Sequence, residues 1–259
     1  MRHQLTSFIF LKDTMKKARF GLVGKDISYS FSKRYFTEKF SDLGLGDHSY
    51  ENFDIANIED FKTTIIRNRD LKGLNVTIPY KESIIPYLDE LDVQAEEIGA
   101  VNTIKFKGSR LKGYNTDAYG FENTMLPYLK PHHTKALILG TGGASRAVAY
   151  VLKSLGISFL YVSRNPDKNQ IGYHDLTESE MKEFTIIINC TPVGTYPNTE
   201  QQPEIPYKLI SENHFLFDLI YNPEKTGFLK EGQIRGASVL NGFGMLQLQA
   251  DRSWEIWHE

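Results

Sequence analysis

The sequence predicts an α/β protein of two lobes, in which helices pack on the faces of sheets. Two short apolar segments, 19–24 and 135–139, are each typical of a strand that runs into glycine and is followed by a helix. The chain has 259 residues, 41% of them hydrophobic, which is enough for one or two sizeable cores. Two lobes of about 120 residues match the usual size of domains. No segment repeats at a fixed period.

A serine-rich segment follows the first predicted strand, 19–24. It runs from Lys25 to Ser32 and leads into a helix whose apolar side carries Phe36 and Phe40. Serine hydroxyls favour turns and helix caps because they accept hydrogen bonds from nearby backbone N–H groups. From its composition the segment is therefore either a capping turn or a polar binding loop.

A lysine closely follows the next predicted strand. Leu74, Val76 and Ile78 alternate with polar residues, the period of a half-buried strand, and Pro79 ends the strand because it has no N–H for the ladder. Lys81 would then lie at a carboxyl end, the edge of an open α/β sheet where ligands bind. A lysine there can donate a proton, although a solvated surface lysine after a turn has the same spacing.

A hairpin and a carboxylate come next. The segment IKFKGSRLK at 104–112 is typical of a β-hairpin that turns at Gly108-Ser109. Asn115-Thr116-Asp117 then precede an apolar-periodic run that predicts a helix, so Asp117 is a candidate for the helix N-cap. The same carboxylate is also a candidate for a functional group, and one residue can do both.

The second lobe opens with a glycine-rich turn. The predicted strand 135–139 runs into the glycines of 140–143, and the helix that follows carries Val148, Val151 and Leu152 on one face. Such a unit brings backbone N–H groups and the positive end of the helix dipole to a diphosphate. A bare GxGG is a weak signal, but the strand before it and the helix after it meet the context of a dinucleotide-binding turn.

The loop after the next predicted strand, 157–162, indicates which dinucleotide is bound. A free ribose 2′-hydroxyl calls for an acidic residue about 20 residues beyond the glycines, whereas a 2′-phosphate calls for arginine. The loop offers Ser163 and Arg164, and Lys168 follows. The sequence therefore favours NADP over NAD, with a solvated loop arginine as the alternative interpretation of Arg164.

Two further apolar segments, 185–189 and 215–219, are predicted to complete the second sheet. The later stripe of Met245, Leu246 and Leu248 is interpreted as helix packing and not as a cofactor contact.

Composition excludes several classes of function. A net charge of −2 leaves no broad basic field, so nucleic acid is not expected as a partner. The single cysteine, Cys190, excludes an intrachain disulfide and suits a reducing compartment, which predicts a cytoplasmic protein. The histidines show no metal-ligand spacing, and His132-His133 are interpreted as a solvated turn. No apolar run approaches the ~20 residues of a membrane helix, and residues 1–17 are interpreted as an extension.

Three motifs, in the order that the family has them, resemble the shikimate dehydrogenase family: NVTIPYK at 75–81, GAVNT at 99–103 and GYNTD at 113–117. The resemblance implies that Lys81 and Asp117 form the catalytic pair, with Asn102 and Thr77 holding the substrate's hydroxyls. This suits the chemistry, because reducing a ketone by hydride transfer leaves an alkoxide that needs a positioned acid. A carboxylate beside a lysine keeps that lysine charged.

The serine-rich segment resembles the family's GxPIxxSxSP stretch when aligned on its glycine and isoleucine. The alignment implies that Ser30 and Ser32 bind the substrate carboxylate. Asp26 and Lys33 stand where the family has proline, and Tyr29 stands where histidine is common.

The same resemblance implies further contacts with substrate and cofactor. Tyr221, within DxxYxPxxT, and Gln249, within GxGMLxxQ, would contact the substrate. The implied contacts with NADP lie in the glycine turn, in the loop that reads the 2′-phosphate and beside the nicotinamide: Gly140, Thr141, Gly142, Gly143, Ala144, Ser163, Arg164, Asn165, Lys168, Thr191 and Gly244.

The resemblance covers nearly the whole chain from Arg19 and implies reversible NADPH-dependent reduction of 3-dehydroshikimate to shikimate, in chorismate and aromatic amino acid synthesis. It implies a substrate-binding domain over 1–118, a Rossmann-like NADP-binding domain over 119–240 and a C-terminal helix, 241–259, that returns to the substrate-binding domain. A quinate dehydrogenase that uses NAD, or a nucleotide-binding sensor without catalytic activity, are the alternatives. We expect a monomer or homodimer that binds a small-molecule substrate. Binding to nucleic acid, to a membrane or to a metal ion is not expected.

Overall fold

The structure is a computed structural model that describes residues 18–28, 30–68 and 70–259. The chain divides into two compact units. Unit 1 comprises the described residues up to Glu96 together with Val101–Asn115 and Ser253–Glu259, and unit 2 comprises Glu97–Ala100 and Thr116–Arg252. The predicted extension, 1–17, and Tyr29 lie outside the described residues.

In the described part of unit 1, six strands form a mixed sheet. They are β1 (Arg19–Gly24), β2 (Ser49–Asp54), β3 (Leu71–Val76), β4 (Glu90–Leu91), β5 (Thr103–Lys107) and β6 (Arg110–Tyr114), in the order β2-β1-β3-β5-β6-β4. β1 is parallel to both β2 and β3, and β5 and β6 form the predicted antiparallel hairpin. Helix α1 (Phe31–Asp42) follows β1, α2 (Asp60–Arg67) follows β2 and α3 (Val93–Ile98) follows β4.

Strand β3 differs from its prediction in one respect. It is central, between β1 and β5, and its side chains from Leu74 to Val76 are buried on both faces: Leu74 is 0% exposed, Asn75 5% and Val76 2%. The strand ends at Val76, and Ile78, predicted to alternate inward, is 69% exposed. The period alone could not reveal that both faces of this strand are covered.

In the described part of unit 2, six parallel strands form the second sheet. They are β7 (Lys135–Leu139), β8 (Ser158–Ser163), β9 (Gln170–Gly172), β10 (Ile186–Asn189), β11 (Phe215–Asp218) and β12 (Ser238–Leu240), in the order β9-β8-β7-β10-β11-β12. This is the Rossmann order, with the reversal of direction between β7 and β10. The helices are α4 (Asp117–Met125), α5 (Gly143–Ser154), α6 (Glu178–Glu183), α7 (Gly227–Ile234) and α8 (Phe243–His258), which ends in unit 1.

The central strands of unit 2, β7, β10 and β11, are buried on both faces, because alternate side chains enter two separate apolar clusters. Ile186 and Ile188 join one cluster, while Ile187 joins the other. The first cluster also contains the predicted inner face of α5 and the side chain of Met245. The interpretation of Met245 as helix packing is therefore confirmed.

His133 is not the solvated turn residue that the sequence indicated. It is 5% exposed, its ring stacks on Phe215 at 6.0 Å, and its Nδ1 accepts the Lys130 N–H at 3.1 Å. Burial lowers the pKa of His133. The turn is short enough for the ring to fold back over the start of β11.

None of the helices in the described ranges is both long enough and apolar enough to cross a membrane. Over the same residues, no group of three or more His, Cys, Asp or Glu side chains is placed to hold a metal ion.

Candidate active site

Lys81 lies in the turn after β3, at the carboxyl end of a central strand. The Thr77 N–H donates to the Val23 carbonyl of β1 at 2.9 Å, and the Tyr80 N–H donates to the Thr77 carbonyl at 2.9 Å. The Lys81 carbonyl accepts the Val101 N–H at 2.7 Å, and the Lys81 side chain is half-buried. The turn is therefore tied both to β1 and to the GAVNT loop, which limits where the ammonium group can reach.

A buried polar network supports Asn102, another predicted substrate contact in unit 1. Asn75 accepts a hydrogen bond from the Tyr50 hydroxyl at 2.8 Å, and its Nδ2 lies 2.9 Å from Ser253 Oγ and 3.2 Å from the Asn102 carbonyl. Thr103 Oγ1 donates to Asn102 Oδ1 at 3.1 Å. Leaving one such buried group unpaired costs about 1–3 kcal/mol, so the network holds Asn102 in a defined orientation.

The serine loop, residues 25–32, connects β1 to α1. Ser30 is the N-cap of α1, and its Oγ accepts the Lys33 N–H at 3.4 Å. The capping alternative is therefore confirmed for Ser30, although a hydroxyl that accepts one hydrogen bond can still donate another. Ser32 lies in the first turn of α1. Burial raises the pKa of the Tyr50 hydroxyl and the Ser32 side chain opposes that shift, which places Ser32 next to the network around Asn75.

Within unit 2, Asp117 and Gln249 are brought together through Thr116. Asp117 is the first residue of α4 and is 5% exposed, while Thr116 occupies the N-cap position. The interpretation of Asp117 as the N-cap is therefore wrong by one residue. Thr116 Oγ1 donates to Gln249 Oε1 at 3.4 Å, and Gln249 Nε2 donates to the Leu246 carbonyl at 2.9 Å. A carboxylate in the first turn is favoured by the helix dipole.

The glycine turn after β7 has the backbone that a diphosphate site needs. Gly140 has φ +99°, which disfavours side-chain-bearing residues, and a Cβ on it would lie 3.0 Å from Thr191 Cγ2. Gly142, the N-cap of α5, faces open space, with no heavy atom other than its chain neighbours within 4 Å of a Cβ. The first N–H groups of α5, which have no partner within the helix, adjoin this space. This donor set fits a pyrophosphate.

The loop after β8 carries the exposed side chains of Arg164, Asn165 and Lys168. It is shaped by the Asn165 N–H, which donates to Ser163 Oγ at 3.3 Å. No carboxylate occurs among the first three residues of this loop, and a guanidinium suits a phosphate. Later in the same loop lies a carboxylate that the sequence did not single out, Asp167. It accepts a hydrogen bond from Gln170 Nε2 at 3.5 Å.

Asn189 and Asp218, at the ends of β10 and β11, hold the loops beside the switch point. The Asp218 carboxylate is fully buried and accepts from Asn189 Nδ2 at 3.0 Å, the Ile220 N–H at 3.0 Å and Thr226 Oγ1 at 2.6 Å. Asn189 Oδ1 accepts from Thr191 Oγ1 at 2.6 Å. Burial raises the pKa of Asp218 to about 6. One carboxylate thus organises the loops that carry Thr191 and Tyr221.

The predicted contacts Tyr221 and Gly244 are placed by neighbouring segments. The half-buried Tyr221 directly follows Ile220, whose N–H is held by Asp218. Gly244 lies in the first turn of α8, where a Cβ would come within 3.1 Å of Thr124 Cγ2. A larger residue at Gly244 would therefore require the Thr124 side chain on α4 to shift by a few tenths of an ångström.

Sequence reasoning did not single out Asn75, Asn189 or Asp218, although Asn75 and Asp218 stood inside motifs and Asn189 ended a predicted strand. The signal that could have found them is a polar side chain within an otherwise apolar strand, since buried polar groups are nearly always hydrogen-bonded. Their partners, such as Ser253 for Asn75, come from distant parts of the chain and could not have been deduced.

Comparison with known proteins places this arrangement in a family. A family model for the shikimate dehydrogenase substrate binding domain matches residues 22–104. A shikimate dehydrogenase (NADP(+)) from Methanococcus maripaludis is 39% identical over 95% of this chain and 93% of the relative. A crystal structure of a shikimate dehydrogenase in complex with NADP+ has a TM-score of 0.83 and 33% identity, covering 93% of this chain and 90% of that chain. The Thermus thermophilus shikimate 5-dehydrogenase in complex with NADP(H) and shikimate has a TM-score of 0.82 and 31% identity, covering 93% of each chain.

Proposed function

Because this chain belongs to the shikimate dehydrogenase family, we propose that it catalyses the reversible NADPH-dependent reduction of 3-dehydroshikimate to shikimate, in chorismate and aromatic amino acid synthesis. The observation that carries the proposal is the position of the motif residues in each sheet. The serine loop and Lys81 follow the parallel strands β1 and β3 at their carboxyl ends. In unit 2, the glycine turn, Arg164, Thr191 and Tyr221 follow four neighbouring parallel strands, and ligands bind at this edge of such sheets.

In the proposed reaction, Lys81 is the proton donor and Asp117 is the second catalytic residue. NADPH, when bound, supplies the hydride that reduces the substrate's ketone carbon. The ketone oxygen becomes an alkoxide as the carbon–oxygen double bond is reduced, and the Lys81 ammonium supplies its proton, so that the product is the neutral alcohol. In the reverse direction the neutral lysine takes the hydroxyl proton.

The substrate's other groups define the remaining roles. Ser30 and Ser32 bind the carboxylate through their hydroxyls, and Thr77 and Asn102 bind ring hydroxyls. Tyr221 and Gln249 complete the substrate contacts. A site built to hydrogen-bond a hydroxyl rejects analogues that lack it, because its own buried polar groups are then left unpaired.

The proposed cofactor contacts fall into three groups, which bind the pyrophosphate, the adenosine end and the nicotinamide. The glycine turn, Gly140 to Ala144, binds the pyrophosphate, and Ser163, Arg164, Asn165 and Lys168 bind the adenosine end. Arg164 reads the 2′-phosphate with Lys168 assisting. Thr191 and Gly244 lie beside the nicotinamide.

Steady-state kinetics with shikimate and with quinate, each with NADP+ and with NAD+, test the proposal. We expect shikimate with NADP+ to give the highest kcat/KM of the four combinations. A higher value for quinate with NAD+ would identify a quinate dehydrogenase instead. Tight NADP+ binding in a titration, without turnover of either substrate, would identify a nucleotide-binding sensor.

Two further expectations remain predictions. The single cysteine favours a cytoplasmic location, and the chain is expected to be a monomer or a homodimer. Light scattering of the purified chain, with and without NADP+, measures its mass directly.

A further inference from the structure

We propose that Asp54 is a positioning residue for substrate binding, which holds the serine loop in the shape that presents Ser30 and Ser32. The inference rests on the proposed function, in which these two serines bind the substrate's carboxylate. Asp54 itself belongs to a different element, since it is the last residue of β2.

The serine loop contains an unusual backbone conformation. Asp26 has φ +57°, and it is the single non-glycine residue with positive φ in the ranges 18–28, 30–68 and 70–259. The left-handed region is costly for residues with a Cβ, and aspartate tolerates it better than most. Such a conformation persists only where surrounding contacts impose it.

Asp54 supplies those contacts with both carboxylate oxygens. Its Oδ1 accepts the Asp26 N–H at 3.0 Å, and its Oδ2 accepts the Ile27 N–H at 3.2 Å. Asp54 is in turn fixed by the sheet, because it is paired with Gly24 in the β1–β2 ladder and the next residue, Ile55, donates its N–H to the Gly24 carbonyl at 3.0 Å. The side chain therefore bridges the end of one strand and the loop that leaves its neighbour.

The effect reaches Ser30 through Ile27. The Ile27 carbonyl accepts hydrogen bonds from Asn52 Nδ2 at 2.9 Å and from the Ser30 N–H at 3.2 Å. Ile27 is thus held on its N–H side by Asp54 and on its carbonyl side by Asn52, while its side chain is buried. Because the Ser30 N–H is bound to the carbonyl of the same residue, Ile27, whose N–H Asp54 holds, releasing Asp54 frees the segment that sets the direction of Ser30.

The negative charge of Asp54 and its positioning role predict opposite effects of removing Asp54 on substrate binding, so an experiment can separate them. Asp54 and Glu59 are both exposed carboxylates in the region of Tyr80, whose pKa is raised by burial first and then by the negative charges of these and other carboxylates. If Asp54 acted only through its negative charge, its removal would strengthen the binding of a substrate carboxylate. If Asp54 positions the serine loop, its removal weakens that binding despite the favourable change in charge.

The experiment compares Asp54→Ala with the matched control Glu59→Ala, which removes one negative charge from the same region. Glu59 makes no side-chain capping hydrogen bond to α2. We measure KM for shikimate, KM for NADP+ and kcat, and we follow amide hydrogen exchange at Asp26 and Ile27. For Asp54→Ala we expect an increase of about three- to tenfold in KM for shikimate, as for the loss of a helix cap, with kcat and KM for NADP+ within about twofold.

Two substitutions at Asp26 separate the backbone from the side chain. Asp26→Gly keeps the N–H and permits positive φ, so KM for shikimate should stay within about twofold of wild type. Asp26→Pro removes the N–H and forces φ to about −65°, so KM should rise. Adding Asp54→Ala to Asp26→Pro should then change KM by a smaller factor than Asp54→Ala does alone.

An unchanged or lower KM for shikimate in Asp54→Ala would overturn the inference, as would an equal change in Glu59→Ala. Failure of the proposed function has a different signature, because wild-type protein would then not turn over shikimate at all. In that event the exchange rates decide the matter: faster exchange at Asp26 and Ile27 in Asp54→Ala but not in Glu59→Ala supports the anchoring role, and equal rates refute it.

Discussion

Asn189 Nδ2 donates to Asp218 Oδ1 across 3.0 Å in the interior of unit 2, at the carboxyl ends of adjacent strands. The same Asn189 side chain accepts from Thr191, and the same Asp218 carboxylate accepts from Thr226 and from the Ile220 N–H. The Asp218 carboxylate has no exposed surface, and loss of hydration disfavours its charged form. Its pKa is therefore raised to about 6, although three hydrogen-bond donors act in the opposite direction. The same carboxylate that holds the loops after β10 and β11 therefore also binds a proton more readily than an ordinary aspartate does.

The raised pKa of Asp218 predicts an unusual dependence of stability on pH. The folded-state pKa is about 6 and the ordinary value is 3.8, so between these pH values the folded chain binds more protons than the unfolded chain. The contribution of Asp218 to the free energy of unfolding therefore rises as pH falls from 7 to 4, by at most about 1.4 kcal/mol per pH unit. Most carboxylates in folded proteins behave in the opposite way.

The Asp218→Asn variant isolates this contribution. An amide preserves an acceptor for Asn189 and Ile220 and can donate to Thr226, so the fold should survive. We expect the stability difference, wild type minus variant, to increase as pH falls from 7 to 5 in urea unfolding experiments. A difference that is flat over this range would show that Asp218 is ionised normally in the folded chain.

Replacing Lys81 by alanine should mainly affect turnover. Because Lys81 is proposed to transfer the proton, we expect kcat to fall by roughly 10²–10⁴-fold with a smaller change in KM. Asp117→Asn should behave similarly, and its thermal midpoint reports any loss of the favourable charge at the start of α4. Lys72→Ala, which removes an exposed lysine from β3, is the control and should leave kcat unchanged. Near-normal turnover in Lys81→Ala would remove the lysine from the mechanism.

Arg164→Ala should reduce the difference between the affinities of the chain for NADP+ and for NAD+. Losing a hydrogen bond to a charged group weakens binding by roughly 1.5–3 kcal/mol, or about 10- to 150-fold. NAD has no 2′-phosphate, so its binding should not change. Titration calorimetry with both cofactors measures the difference, and Lys168→Ala should show a smaller loss in the same direction. Equal losses for NADP+ and NAD+ would mean that Arg164 supports the loop and does not read the phosphate.

The two serines require variants that respect the capping role of Ser30. Alanine at an N-cap costs about 0.5–2 kcal/mol, whereas glycine costs only a few tenths, so Ser30→Gly removes the hydroxyl with little damage to α1. Combined with Ser32→Ala, it should raise KM for shikimate and leave the affinity for NADP+ nearly unchanged. Ser41→Ala, at the other end of α1, is the control. Unaltered shikimate affinity in the double variant would show that the carboxylate is bound elsewhere.

Gly73→Ala should destabilise unit 1. A Cβ on Gly73 would lie 2.2 Å from Trp257 Nε1, and that indole is held because its N–H donates to the Ile104 carbonyl at 3.0 Å. Overpacking of this kind typically costs about 1–3 kcal/mol. Gly46→Ala, where no heavy atom lies within 4 Å of the new Cβ, is the matched control. Equal thermal midpoints for the two variants would contradict the close approach of Trp257 to β3.

The sequence by itself determined the α/β class, the family and the main elements of both units. Strand β1, the hairpin at Gly108 and the strand–turn–helix unit around Gly140 depend on short-range patterns: the alternation of side chains, the need for glycine at positive φ and the spacing of apolar residues. These patterns are local, and the chain therefore displays them directly. The position of Lys81 after a strand followed from the same kind of signal.

Only the tertiary structure decided which polar groups meet. Asn75 and Ser253 are separated by 178 positions in the sequence, and Asp54 reaches Asp26 from a neighbouring strand. Burial of His133 and of both faces of β3 likewise depends on what other segments pack against them. A hydrogen bond or a buried face is a property of two elements together, so its formation is set by sheet order and side-chain packing, which no local pattern in one segment encodes.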